Sequence, residues 1–413
     1  MTRTRKPARG RNAKRIAMLL AATALTTLAA RAQVSGDVIR IGIMNDMSGP
    51  YADNCGPGSV AAARLAIEDM GGAIKGKKIE IVTADDQNKP DIGVAIARRW
   101  VEKEGVDAIV GCSASSIALA VSDIMREFNK PYLLAGTASS DTTNGKCSPM
   151  TTNWAYDTYT LSKGSVKAQL DQGMDTWYFI TVDYTFGKQW QADATKFIEA
   201  AGGKVLGASL HPLNATDFSS QLLQAQASGA KVIAIANSGS DLANVIKQAK
   251  EFGISGGKQR IAPLGILINA VHGIGLDATQ GLVVSAAAYW NANDETRALA
   301  KRYGAAFNNR VPNESQLVTY SAVLHYLKAV AAADTDEGKA VMAKMRELPA
   351  NDAMLKDVRI RQDGVVLRSK LAVRVKKPGE PKQPWDYYDV IGTIKAEDAW
   401  RPLSESECPL VKK

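Results

Sequence analysis

Beyond residue 32 the 413-residue sequence has no apolar run of about 18 residues or more, so nothing there reads as a membrane-spanning helix. Cysteine is scarce: Cys55, Cys112, Cys147 and Cys408 stand alone, without a C-x-x-C pair, which excludes the usual zinc spacings. His211, His272 and His325 are scattered, which leaves no His-based metal site and favours structural histidines. Three catalytic signatures are missing: the G-x-S-x-G elbow, the G-x-x-x-x-G-K-S/T phosphate loop and H-E-x-x-H. Asp85-Asp86 is a paired carboxylate at a strand end, but with no His or second acidic cluster nearby it reads as a solvated loop. No catalytic residue, metal or cofactor is expected, and the chain does not read as an enzyme.

Acidic residues are absent from residues 1–32, which carry eight basic ones; the remainder holds 43 basic against 42 acidic residues. The formal charge of +9 therefore belongs to a leader, and nucleic acid is not an expected partner. The leader has a basic segment ending near Arg15, an apolar stretch from Ile16 to Ala30, and the small-x-small sequence Ala30-Arg31-Ala32. Those are the parts of a cleavable signal peptide, with Gln33 as the new N-terminus and the periplasm as the expected location. No Cys follows the cleavage site to carry a lipid. In an oxidising compartment the four cysteines allow three pairings.

Short β-branched runs alternate with helical patterns, as in α/β architecture with a mainly parallel sheet. Strands are expected at Val38–Met44, Lys78–Thr83, Asp107–Val110 and Tyr132–Ala135, with helices at 58–70, 92–104 and 116–128 between them. The rhythm restarts with strands at Trp177–Val182, Lys204–Ala208, Val232–Ala236 and Arg260–Leu264. After a strand at Leu282–Ser285, helices are expected at 295–307, 316–332 and 339–348. The tail reads as an antiparallel hairpin, Val358–Ile360 and Val365–Val375, turning at Asp363-Gly364.

Two loops of small residues, Gly111–Ser116 and Ala135–Ser140, each end a strand. Small side chains let a ligand approach the backbone, and free N–H groups at a helix start hold an anion. Ligands of open α/β sheets sit at such strand ends near a switch point. Together the loops form a carboxylate cradle.

At this point a resemblance emerges. Ile41-Gly42-Ile43-Met44, Met47–Ala52, the helix Gly58–Glu68, the two small-residue loops and Asp183-Tyr184-Thr185-Phe186-Gly187 resemble, in order, the periplasmic solute-binding proteins of branched-chain amino-acid-type ABC transporters. The likeness runs from Val38 to about Tyr388. The tail, with Trp385-Asp386-Tyr387-Tyr388 and Cys408-Pro409-Leu410, looks like a subgroup of that family. The resemblance implies an α/β fold of two doubly wound, Rossmann-like lobes joined by a three-crossover hinge. Lobe one would take residues 33–157 and 286–349, lobe two 158–285 and 350–400, and residues 401–413 would be a tail. It also implies a monomer that holds a small-molecule carboxylate between its lobes and delivers it to permease subunits in the inner membrane. A sensor for amides on the same fold is the alternative.

By the same resemblance the carboxylate falls to Ser115, Ser116, Gly136, Ala138 and Ser139. Phe186 and Ser238 face the ligand from the second lobe, and Tyr51 and Asn54 reach the cleft from the first loop. Amino-acid binders of the family place an acid after the strand matching Arg260–Leu264, and ungapped matching puts Leu264 there. A buried ammonium without a carboxylate is costly. Leu264, Phe186 and Tyr51 thus point to an aromatic or other organic acid rather than leucine or valine. Finally, Cys408 lies in a tail that needs tethering and Cys147 follows the cradle, which favours that bridge. Cys55 and Cys112 fall at the cleft ends of neighbouring strands, so a second pair between them is open.

Overall fold

The computed structural model describes residues 1–4, 34–254 and 258–412; the leader and its cleavage site lie outside the described residues. From Val34 onward the chain builds three sheets. The first contains β1 (Val38–Asn45), β2 (Ala73–Ile74), β3 (Lys77–Asp85), β4 (Ala108–Gly111), β5 (Tyr132–Leu134) and β6 (Thr151–Asn153), in the order β2-β3-β1-β4-β5-β6. Every pairing in it is parallel except β2 with β3. The second contains β7 (Thr176–Val182), β8 (Lys204–His211), β9 (Val232–Ala236) and β10 (Arg260–Pro263), all parallel, in the order β10-β9-β7-β8.

Alternation along β1 explains the layering. Ile39, Ile41 and Ile43 share a core with Ala63, Leu65 and Ala66 of helix Gly56–Asp69. Met44 packs into a separate core with Trp100, Ile109 and Ile117 on the other face. Helices thus cover both faces, the doubly wound arrangement. Each fully buried Ile contributes roughly 1.5–3 kcal/mol. In the second sheet β9 is buried at every residue, as its unbroken apolar run requires of a central parallel strand.

The chain passes between the sheets three times. It leaves the first after β6, through Ala155, into helix Thr158–Leu170, which packs on helix Thr185–Ala200 of the second. It returns after β11 (Val283–Ala286) to helix Glu314–Ala333, which packs against Gly56–Asp69. It crosses again after helix Gly338–Glu347 to reach β12 (Lys370–Val375). A third, antiparallel sheet, β11-β12-β13 with β13 at Tyr388–Ile394, forms from the crossing strands. The fold is two doubly wound lobes on a three-crossover hinge.

The tail differs from the expected hairpin. Asp363-Gly364 does turn the chain, and Ile360 bridges Val366. That pairing stops at a single bridge because Lys370–Val375 is claimed by β11 on one side and β13 on the other. Helix Thr158–Leu170 and β6 were not expected; their Thr- and Ser-rich sequences carry little periodicity. The favoured disulfide Cys147–Cys408 forms, with Cα atoms 5.6 Å apart, and the pair left open, Cys55–Cys112, is bridged as well, at 6.1 Å.

Candidate functional site

Each sheet reverses its winding direction once, and the loops at those switch points face one another. From the first sheet come the loops after β1 and β4; from the second, those after β7 and β9. The β1 loop is shaped by Asp46, whose carboxylate accepts from the N–H groups of Gly49 (2.6 Å) and Tyr51 (2.8 Å) and from Asn88 Nδ2 (2.6 Å). This turn presents Tyr51 and Asn54 to the cleft. Asp85 extends the support, accepting from Ser48 Oγ at 2.7 Å, while Asp86 is fully buried and its carboxyl pKa is pushed up by that burial. Asp85 therefore braces the β1 loop while Asp86 is buried behind it, so the pair is not a solvated turn.

The cradle is built on β4 and β5. Asn45 Oδ1 accepts from Cys112 N–H at 2.7 Å, and Thr137 Oγ1 donates to Ser113 O at 2.8 Å, which locks the two small-residue loops together. Ser115 opens helix Ser115–Glu127. Its hydroxyl and the free N–H groups of that first turn suit a carboxylate. Gly136 has no room for a side chain: a Cβ would come within 2.2 Å of Cys112 Sγ and 2.9 Å of Ser315 Oγ.

The second lobe supplies apolar wall. Tyr184, Phe186 and Trp190 form a contiguous aromatic run, with ring centroids 5.9 and 5.0 Å apart along the series. With Tyr51, Tyr156, Leu161, Ile266 and Leu267 they line one cavity between the lobes. Aromatic walls give apolar contact with few rotors to freeze.

Polar contacts close the cleft over this cavity. Tyr51 Oη meets Tyr184 Oη at 2.9 Å, Asn54 Nδ2 donates to Ser238 Oγ at 3.2 Å, and Ser240 N–H donates to Pro50 O at 3.1 Å. Gly239 (φ +65°) permits the last approach, since a Cβ there would lie 2.2 Å from Pro50 O. On the far side, Ser140 Oγ of the first lobe donates to Asp193 Oδ2 of the second at 2.8 Å. The structure is a closed one.

One acid lines the cavity among the described residues, Glu314, in the first turn of helix Glu314–Ala333. Its Oε2 accepts from Ala287 N–H in the second crossover, and burial pushes its pKa up. Arg368 donates to Ala287 O and Lys370 to Ala155 O, so buried side chains tie the crossovers together.

Of the ten residues expected at the site, Tyr51, Asn54, Ser115, Gly136, Ala138, Phe186 and Ser238 line the cavity. Three do not. Ser116 is half-buried on the helix beyond Ser115. Ser139 is fully buried, and its Oγ accepts from Asp141 N–H at 3.3 Å, capping the short turn Ser140–Thr143. Leu264 lies wholly in the core, and the following Gly265, Ile266 and Leu267 make the wall instead. Trp190 was within reach of the sequence, one helical turn after Phe186; Glu314 was not, since it arrives from a distant helix start. Each histidine is engaged locally: His211 with Asn237, His272 with Tyr387 and His325 with Met345 O. Among the described residues no cluster of His, Cys, Asp or Glu is arranged for a metal ion.

Residues 38–380 match the family model described as periplasmic binding protein. A crystal structure of a periplasmic binding protein from Burkholderia mallei is 43% identical, with a TM-score of 0.89 over 91% of this chain and 100% of that one. A branched chain amino acid ABC transporter periplasmic ligand-binding protein from Burkholderia xenovorans LB400 is 37% identical, with a TM-score of 0.80 and the same coverage. Among curated relatives, Leu/Ile/Val-binding protein homolog 6 of Brucella melitensis is 30% identical over 59% of this chain. The chain spans 62% of that relative's length.

Proposed function

Because the chain belongs to the periplasmic binding protein family, we propose that it captures a small carboxylate and hands it to the permease subunits of an ABC importer. One observation carries this reading: a single cavity has an anion cradle on one lobe and an aromatic wall on the other, with hydrogen bonds closing over it. Contacts to both lobes form only in the closed state, so a ligand touching both walls shifts the molecule towards closure. Closure then marks a loaded molecule for the membrane partner. The apolar wall fits an aromatic or other organic acid, or a branched-chain amino acid. Export fits the leader, and among the described residues no helix is long and apolar enough to cross a membrane. The role is capture, not catalysis.

Calorimetric titration of the ligand-free chain tests this with a panel of apolar amino acids, aromatic and aliphatic acids, and small amides. One-site binding of carboxylates with the compound recovered unchanged is expected. Tight binding confined to amides would favour the sensor reading, and recovery of a converted product would make the protein an enzyme.

A further inference from the structure

We propose that the tail segment Trp385–Tyr388 and Asn269 form a clasp across the mouth of the cleft, which sets how long a ligand is retained rather than which ligand is chosen. This rests on capture by closure of the two lobes. Trp385 lies between β12 and β13, and its ring stacks on His272 of the second-lobe helix Ile268–Ile274, with centroids 3.8 Å apart. Arg310 reaches the same ring, its guanidinium carbon 5.7 Å from the centroid. Arg310 belongs to the first lobe, since it sits between helices Asp294–Ala306 and Glu314–Ala333, which both pack on Gly56–Asp69. A cation over an indole face is attracted by the ring, and this pair meets only when the lobes are together.

The same guanidinium carries the clasp onward, pairing with Asp53 at 2.6 Å. Burial alone would raise the Asp53 carboxyl, but Arg310 and Asn269 outweigh it and hold the group below the usual carboxylate range. Asn269, two residues past the wall at Leu267, then spans the gap. Its Nδ2 donates to Asp53 Oδ2 at 3.2 Å and Asn54 Oδ1 at 2.9 Å, and its Oδ1 accepts from Asn313 Nδ2 at 3.1 Å. Both ends of this buried amide are thus satisfied by the first lobe, and opening the cleft would break all three bonds.

The tail segment is built to hold Trp385 in place. Trp385 takes φ +67°, a left-handed conformation that is costly for so bulky a residue and persists only where its surroundings fix it. They do: Trp290 Nε1 donates to Trp385 O at 3.0 Å, and the buried Asp386 carboxylate accepts from Lys376 Nζ at 2.7 Å and Tyr289 Oη at 3.2 Å. Tyr387 Oη meets His272 Nδ1 at 2.8 Å, and Tyr388 Oη donates to Ile266 O of the cavity wall at 3.0 Å. The strained residue stands half-buried at the rim, where packing gains little, so its ring is placed for Arg310. Trp385, Arg310, Asp53 and Asn269 all lie off the cavity wall, so the clasp acts on closure and not on the ligand.

Stopped-flow tryptophan fluorescence on the full chain tests this, with leucine and benzoate as probes and Trp190 in the wall as reporter. Trp385→Leu should raise the dissociation rate roughly 2- to 5-fold, the range for an exposed cation–π pair. Trp385→Phe, which keeps a ring face, should lie nearer wild type. Asn269→Ala should raise the rate about 10-fold or more, since three interlobe bonds go at once. Arg310→Met removes the cation from the other lobe and should at least match Trp385→Leu, which keeps the test open if another variant misfolds. Association rates should stay within about 2-fold of wild type, because the probe enters the open cleft before the clasp forms. The preference between the two probes should not change. A merely structural role would lower the melting temperature without separating the two rates. An unchanged dissociation rate in any folded variant other than Trp385→Phe would overturn the clasp and leave capture standing, and so would a changed preference between probes. If wild type bound neither probe, capture of an apolar carboxylate would fall and the clasp with it.

Discussion

Tyr51 Oη lies 2.9 Å from Tyr184 Oη, and the bond joins the loop after β1 to the loop after β7 across the cleft. Burial raises both hydroxyls above the ordinary tyrosine range, so each stays protonated and the pair shares a neutral hydrogen bond. The bond can exist only when the lobes are together. A neutral bond contributes about 0.5–1.5 kcal/mol, so no one contact holds the cleft shut and the ligand must supply the rest.

Tyr184→Phe should accordingly weaken ligand affinity about 2- to 10-fold, with the fold intact. Tyr51→Phe should do the same, and the double variant should be little worse than either single one, since all three lose one shared bond. Calorimetry on the four proteins checks this. Additive losses would mean that the two hydroxyls act separately on the ligand.

Much of this site was legible because its parts are local. Small residues between a buried strand and a helix, as at Gly111–Ser116, have few other uses, and the chain itself brings Ser115 to the strand end. What escaped depends on contacts far apart in sequence. Ser139 carries the right side chain in the right loop, yet the next turn takes its hydroxyl, because an unpaired N–H at Asp141 lies nearer than the cleft. Leu264 was placed by matching the chain to the family without a gap, and an error of one residue at a strand end turns a side chain to the other face. Glu314 reaches the cavity only because helix Glu314–Ala333 docks on Gly56–Asp69, a packing no local pattern announces. The lone tail hairpin failed for a similar reason: the strand had two better partners.

The two cradle serines should therefore separate. Ser115→Ala should cost roughly 1.5–3 kcal/mol of binding, as a hydroxyl lost from a charged ligand group does. Ser139→Ala should leave affinity unchanged and lower thermal stability slightly through its lost cap. Equal losses of affinity would place Ser139 in the cleft after all.

Cys147–Cys408 closes 261 residues of sequence and pins the tail, with Asn144 and Glu407 bonded alongside at 2.7 and 3.1 Å. A bridge over so long a loop restricts the unfolded chain strongly, by about 2–4 kcal/mol in typical cases. Replacing both cysteines by Ser should lower the melting temperature by several degrees. It should not touch ligand affinity, because neither cysteine lines the cavity. A melting temperature equal to that of the parent would show that the tail is held by its other contacts.

Asp241 gives the fold a pH dependence of definite sign. It is fully buried beneath the second-lobe wall, its Oδ2 accepting from Asn214 N–H at 3.0 Å, and burial raises its pKa to about 6. His211 Nδ1 stands 3.8 Å away, but burial lowers the pKa of that imidazole, which keeps it neutral and unable to compensate the carboxylate. A folded-state pKa above the unfolded value of about 3.9 means that the native state favours the protonated acid. The resulting stabilisation is complete below pH ~4 and is lost as the pH rises through about 6. Asp241→Asn imitates the protonated side chain at every pH and keeps an oxygen for Asn214. Its melting temperature relative to wild type should therefore climb between pH 4 and pH 7.5, with most of the change between about 4 and 6. Scanning calorimetry of both proteins across that range decides the matter. If the asparagine variant instead fell further behind as the pH rose, the folded protein would be stabilising the Asp241 anion, and a cation would have to face it.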